Sequence, residues 1–244
     1  MPNSSFCGGL ASWRENKIGL RVLISRKITN FVETLRCMPA WGGAKRKTLF
    51  IENKKIMAKV YEFLANGFEE VEGLAPVDIL RRGGVDIKTV SITGSEYVET
   101  SHGVTLKADL KIEDADLSDA DMILLPGGLP GATNLRDHEG VRAALTAQAA
   151  RGGRIGAICA APLVLGSLGL LEGKNATCYP GFEKFMTGAN YTHELFTIDG
   201  NIITGEGPAA TFPYSYEILR MFTSDDTVAS LQKGMMYCHL MQKA

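Results

Sequence analysis

Cys159 stands at an unusual place in the run GRIGAICAAPLVLGSLGLL, residues 153–171. An apolar stretch of strand length leads into the thiol, and small residues with Pro162 follow at once. A cysteine on such a strand-to-helix turn has what a nucleophile needs. A helix start offers free N–H groups and a positive dipole end, both of which favour a thiolate. The N–H of the next residue, Ala160, points where an oxyanion would form. Two other segments carry matching chemistry. LLPGGLPGATN holds Gly127-Gly128, where a bare backbone approaches closely and supplies a second donor. LANGFEEVE holds Glu69, Glu70 and Glu72, carboxyls able to hydrogen-bond a thiolate or move a proton. Each signal has an ordinary explanation. A free Cys among small residues is commonly packing, acids at a helix start complement the dipole, and PGG is often a turn. Their placement at three successive strand ends favours a site.

The elements that position them alternate from Met57 onward. KVYEFL reads as a strand. EEVEGLAPVDILRRGG reads as a helix with Val71, Leu74, Val77 and Leu80 apolar and Gly83-Gly84 as its stop. DIKTVSI is β-rich, and GVTLKADLKIEDA alternates like a strand at a sheet margin. ADMILLPGG is a short apolar strand, EGVRAALTAQAARGG a helix and RIGAI a buried strand. LFTIDGNIITGEG reads as a hairpin with an Asp199-Gly200 type I′ turn. TFPYSYEILRMF and TVASLQKGMMYCHLM close the chain as helices. Short apolar strands alternating with helices predict an α/β fold, a mostly parallel sheet covered on both faces. Sites then form at the carboxyl ends of the strands, and one crevice collects Glu72, Gly127-Gly128 and Cys159 if those strands are neighbours.

Composition bounds the rest. The chain has 244 residues, 45% hydrophobic, with 27 glycines and 9 prolines. That suits one compact domain with a full core, or a domain plus an appendage. The net charge of −1 conceals an asymmetry. Residues 1–56 carry eleven Lys or Arg against three acids, a net of +8; residues 57–244 carry fifteen against twenty-four, a net of −9. The first segment shows no sustained period and reads as a basic extension, disordered or the product of a misplaced start; 57–244 reads as a single domain. Five scattered cysteines, with no CxxC and no Cys/His cluster at zinc spacing, point to free thiols in a reducing, cytoplasmic compartment. No apolar run reaches the roughly 18 residues a membrane span needs. GxGxxG and GxxxxGK[ST] are missing, which argues against dinucleotide and P-loop nucleotide sites. Nucleic-acid binding is not indicated for residues 57–244.

The segments GFEEVEGLAPVDILRRGG, LLPGGLPGATNL, AICAAP and TGEGPAAT run in order through the body. The body resembles the ThiJ/PfpI superfamily, in particular the branch of the parkinsonism-associated protein deglycase and its bacterial relatives. The resemblance implies a flavodoxin-like sandwich, usually dimeric, with Cys159 as the reactive thiol on the elbow. It implies Glu72 as the protonated acid touching that thiol, and Gly128 and Ala160 as backbone donors. Two departures stand out. Protease-like members place a His directly after the Cys, where this chain has Ala160, so a Cys-His protease is not expected. The deglycase branch often has a His before a Pro in the next strand, where this chain has Tyr179, a poor acid or base at neutral pH with an unperturbed pKa of about 10. His193 is the alternative for that place, although a loop His is more commonly a surface residue. Cys178 is a second redox thiol or, more simply, packing.

The resemblance further implies a stress-protective enzyme acting on 2-oxoaldehydes such as methylglyoxal, or on glycated side chains, with no metal or organic cofactor. The alternative is a redox sensor or holdase chaperone that uses the same oxidisable cysteine. A role in thiazole biosynthesis has no support in the residues.

Overall fold

The computed structural model describes residues 57–243; the expected basic extension, residues 1–56, lies outside them. The apolar runs become seven strands of one sheet: β1 (Lys59–Leu64), β2 (Asp86–Ser91), β3 (Leu110–Lys111), β4 (Met122–Leu125), β5 (Arg154–Ile158), β6 (Phe196–Asp199) and β7 (Ile202–Gly205). Their order is β6-β7-β5-β4-β1-β2-β3. Every neighbouring pair is parallel except the β6–β7 hairpin. Four consecutive residues, MILL, are buried along β4, which is the signature of a strand covered on both faces.

The covering helices are α1 (Glu70–Arg82), α2 (Gly131–Asp137), α3 (Glu139–Ala150), α4 (Pro162–Ser167) and α5 (Thr211–Arg220); α6 (Asp225–Gly234) and α7 (Tyr237–Lys243) follow. The chain leaves β1 toward β2 by way of α1, and leaves β4 in the opposite direction, toward β5, by way of α2 and α3. Right-handed crossovers running in opposite directions put their helices on opposite faces. α1 packs with α5, and α2 packs with α3 and α4. The strand order reverses between β1 and β4, which opens a crevice beyond their carboxyl ends. The three segments with chemistry leave β1, β4 and the adjacent β5. The α/β sandwich expected from the sequence is thus the fold found, and among the described residues no helix is long and apolar enough to cross a membrane.

Four local expectations need correction. The buried face of α1 is Glu72, Gly73, Pro76, Val77, Ile79 and Leu80, whereas Val71 and Leu74 are 43% and 42% exposed. Gly73 sets this rotation: any Cβ there would lie 2.6 Å from the Phe68 ring, so the helix seats its bare glycine on Phe68 and turns Leu74 outward. In the margin segment, Thr105–Lys107 pairs with Tyr97–Glu99 in a separate two-stranded ribbon; only Leu110–Lys111 joins the main sheet, and a 3₁₀ turn follows. The hairpin pairs Asp199 with Ile202, so its turn residues are Gly200 and Asn201. Gly200 has φ 63° and Asn201 is not left-handed, which fits a type II′ turn with glycine first rather than the expected type I′. The last expected helix breaks in two at Met235 and Met236, the latter at φ 61°.

Candidate active site

The elbow comes first. Cys159 follows β5 with φ 63°, a left-handed conformation that costs a non-glycine residue about 1–3 kcal/mol and persists only where its surroundings enforce it. Two backbone bonds do so here. Cys159 N–H donates to the Gly205 carbonyl at 2.9 Å, and Tyr179 N–H donates to the Cys159 carbonyl at 2.9 Å. The residue is 8% exposed. The helix after the elbow, α4, is only six residues long and starts at Pro162. Its dipole therefore matters less than the sequence suggests; the N–H groups that reach the thiol belong to Gly128 and Ala160.

Glu72 arrives from the opposite side. The cap of α1 places it: the Glu69 carboxylate accepts from Glu72 N–H at 2.8 Å, while Glu70 turns away to His102 at 2.9 Å. Of the three acids only Glu72 enters the crevice, and it is fully buried. Its Oε2 accepts from Gly127 N–H at 2.9 Å. Oε1 has no hydrogen-bond partner among the described residues, and the carboxyl lies beside the Cys159 side chain across Gly127. Gly127 is where the parts converge. A Cβ there would lie 2.6 Å from Glu72 Oε2, 2.7 Å from Cys159 Cβ and 2.9 Å from Ala160 N. Gly128, at φ 82°, presses against the Phe68–Glu69 backbone, with an added Cβ only 2.4 Å from Glu69 N. Glu69 N–H to Gly127 O at 3.0 Å and Gly131 N–H to Gly67 O at 3.1 Å stitch the β1 and β4 loops together.

Burial pushes the Glu72 carboxyl up to about 7, and the charge of Glu69 adds to this; the Cys159 contact and Gly127 N–H act the other way. Burial also pushes the Cys159 thiol up, and the Glu72 charge and hydrogen bond push it further, against the two N–H donors of Gly128 and Ala160. The raised carboxyl follows from burial, which disfavours the ionised form. The raised thiol runs against the expected ready thiolate, because burial and a neighbouring anion oppose a second charge. Burial and their mutual proximity thus hold both groups toward their protonated forms.

Residues 58–221 match the DJ-1/PfpI family. The chain belongs to the DJ-1/PfpI family. It is 36% identical over 173 residues to the zebrafish (Danio rerio) Parkinson disease protein 7 homolog, covering 69% of this chain and 92% of that one. It is 30% identical over 167 residues to the glutathione-independent glyoxalase DJR-1.2 of Caenorhabditis elegans, covering 68% and 88%. Protein DJ-1 homolog B of Arabidopsis thaliana is 38% identical over 174 residues, 70% of this chain; the match spans 39% of that longer relative. The crystal structure of Drosophila melanogaster DJ-1beta superposes with a TM-score of 0.70 at 31% identity, over 74% of this chain and 98% of that one.

The remaining candidates of this DJ-1/PfpI chain fall outside the thiol–carboxyl contact. Tyr179 meets Cys159 through its backbone; its side chain is 47% exposed and lies against Gly207. His193 is exposed at φ 58° with its ring against Tyr191, centroids 3.9 Å apart. Among the described residues no hydrogen bond or ring contact joins it to Cys159 or Glu72. Cys178 is fully buried, and burial with the charges of Glu183 and Glu206 pushes its thiol up to about 12, which favours the packing reading. Sequence reasoning missed Gly205, whose carbonyl anchors the elbow, and Glu206 beside it. Both sit in TGEGPAAT, a segment legible as a family feature but without side-chain chemistry pointing to Cys159.

Proposed function

We propose that the chain is a cysteine-dependent enzyme that converts reactive 2-oxoaldehydes, methylglyoxal among them, into 2-hydroxy acids or releases them from early glycation adducts. The observation that carries this reading is the convergence of the buried Glu72 carboxyl, the Cys159 side chain and the Ala160 N–H at Gly127. The similarity to a glutathione-independent glyoxalase supports the substrate class.

The cycle balances without an external oxidant. Transfer of the thiol proton to the carboxylate gives a Cys159 thiolate next to neutral Glu72. The sulfur attacks the aldehyde carbon, a C–S bond forms as the C=O π bond breaks, and the oxyanion takes the proton back from Glu72, giving a hemithioacetal and the Glu72 carboxylate. The carboxylate of Glu72 removes the C1 proton, giving an ene-diolate charged on the C2 oxygen, and returns that proton to C2 while the C1 hydroxyl proton passes to the C2 oxygen. C1 is thereby oxidised to a thioester and C2 reduced to an alcohol. Water cleaves the thioester, releasing lactate and the thiol. Gly128 and Ala160 N–H groups stabilise the oxyanion, and one such donor is worth about 10²–10³-fold in rate.

The reading includes a homodimer. It is supported by the apolar pair Val71 and Leu74, exposed one turn apart on the outer side of α1.

Glu72→Gln keeps a hydrogen bond to sulfur but carries no proton, and Glu72→Ala has neither. Glu72→Gln is expected to keep a peroxide-sensitive Cys159 while lactate formation falls on the order of hundredfold. Turnover equal to wild type would remove Glu72 from the proton transfer. A wild-type protein without turnover whose Cys159 still oxidises selectively would favour the second reading, a redox sensor or holdase. That reading is supported by the same contact, since a carboxyl already paired with the sulfur can hydrogen-bond a sulfinate.

A further inference from the structure

A cleft of about 270 Å³ lies beside the elbow, lined mainly by Tyr179, Pro180, Leu195, Glu206, Gly207 and Pro208. Its two walls are both tied to the backbone of Cys159, whose side chain lies outside the lining. Tyr179 N–H bonds the Cys159 carbonyl, and Gly205, the residue before Glu206, accepts the Cys159 N–H, each at 2.9 Å. The walls meet where Tyr179 lies over Gly207; a Cβ there would come 3.2 Å from the ring. The lining is apolar apart from two side chains, the Tyr179 phenol and the Glu206 carboxylate.

Glu206 is half-buried, and among the described residues its carboxylate has neither an ion pair nor a hydrogen bond. Two lysines of the preceding segment are engaged elsewhere. Lys184 lies over the Phe185 ring, 5.1 Å from its centroid, and Lys174 faces Asp199 at 3.7 Å. Glu183 adds a second negative charge on the same side, both acids acting on buried Cys178. An uncompensated carboxylate on the wall of a small apolar cleft attracts cations and repels anions more strongly than it would in water.

We propose that this cleft is the approach to the Cys159 thiol, and that Glu206 makes it admit neutral or ammonium-bearing carbonyl compounds and exclude those carrying carboxylate or phosphate. The proposal rests on the carbonyl-enzyme reading for its substrates. Methylglyoxal and aldehyde adducts of amines pass this filter; 2-oxo acids and phosphorylated trioses do not.

Charged methanethiosulfonates test the filter without turnover. Cys159 attacks the reagent's sulfenyl sulfur, a mixed disulfide forms, and methanesulfinate leaves. The full-length protein is treated with the trimethylammonioethyl and sulfonatoethyl reagents, and modification of Cys159 is followed by peptide mass spectrometry. Rates are divided by that of the neutral methyl reagent and by the corresponding rates with a small free thiol. Wild type is expected to favour the cation. The cation-to-anion ratio should shrink about three- to tenfold in Glu206→Gln, the effect of one unit charge at a partly solvated distance. It should invert in Glu206→Lys, and the wild-type ratio should fall with added salt. A ratio near one in wild type, or one unchanged by both substitutions, would overturn the proposal. A ratio that follows Glu206 supports the cleft assignment even if methylglyoxal is not turned over, so the two readings fail separately.

Discussion

Gly127 shows how much of the site depends on an atom that is absent. Its missing Cβ leaves the space in which the Glu72 carboxyl, the Cys159 side chain and the Ala160 N–H come together. Gly127→Ala would push a methyl group to 2.6–2.9 Å from all three, well inside contact distance. Backbone and a capped, buried glutamate yield poorly, so the methyl group separates the pair. Overpacking of this kind costs about 1–3 kcal/mol, which a domain of this size survives. The expected result is a folded protein with a modestly lower denaturation midpoint and an altered pH profile for alkylation of Cys159, since the thiol loses its carboxyl neighbour. An unchanged profile would show that the contact has little influence on the thiol. The sequence marked Gly127-Gly128 as a close approach of backbone; only the fold shows that Gly127 makes room for side chains while Gly128 makes room for the α1 cap.

At the scale of elements, the elbow stores strain that a substitution series can read. Cys159 at φ 63° is a conformation glycine adopts freely and alanine does not. Within strands and helices glycine is normally the less stable of the two by roughly 0.5–1 kcal/mol. Here Cys159→Gly is expected to equal or exceed Cys159→Ala in stability by about 1 kcal/mol in urea denaturation. If alanine is clearly the better replacement, the elbow is not strained. The elbow was legible in the sequence because a buried strand, small residues and a proline follow one another without a break. The rotation of α1 was not. A 3.6-residue period admits a face through Val71 and Leu74 as readily as one through Gly73 and Pro76, and contact between Gly73 and Phe68 decides between them. The same holds for Tyr179 and His193. Their positions in the sequence suggested the place of the usual active-site His, but one reaches Cys159 through its backbone and the other stacks on Tyr191.

For the whole molecule, two buried carboxyls set how stability should depend on pH. Glu62, on β1, is almost fully buried; burial holds its carboxyl well above the ordinary range, outweighing the opposing effect of Arg81. Burial raises Glu72 from 4.5 to about 7. A group whose pKa is higher in the folded state binds more protons there than in the unfolded chain, so the slope of stability against pH is negative. The Glu72 contribution is therefore complete below about 4.5 and is lost as pH rises through about 7. The gap corresponds to about 3 kcal/mol at most. Cys159, also raised, continues the decline above the ordinary thiol range. Wild type should thus lose stability between pH 5 and pH 8.5, and Glu72→Gln, which cannot ionise, should lose less. Melting temperatures of both proteins across that range, at constant ionic strength, decide the matter. A gap that widens in favour of Glu72→Gln as pH rises means that the carboxyl releases its proton inside the fold. Parallel curves would mean that Glu72 does not titrate in this window, and that the pair sheds its first proton elsewhere on the pH scale than burial and the Gly127 N–H lead one to expect.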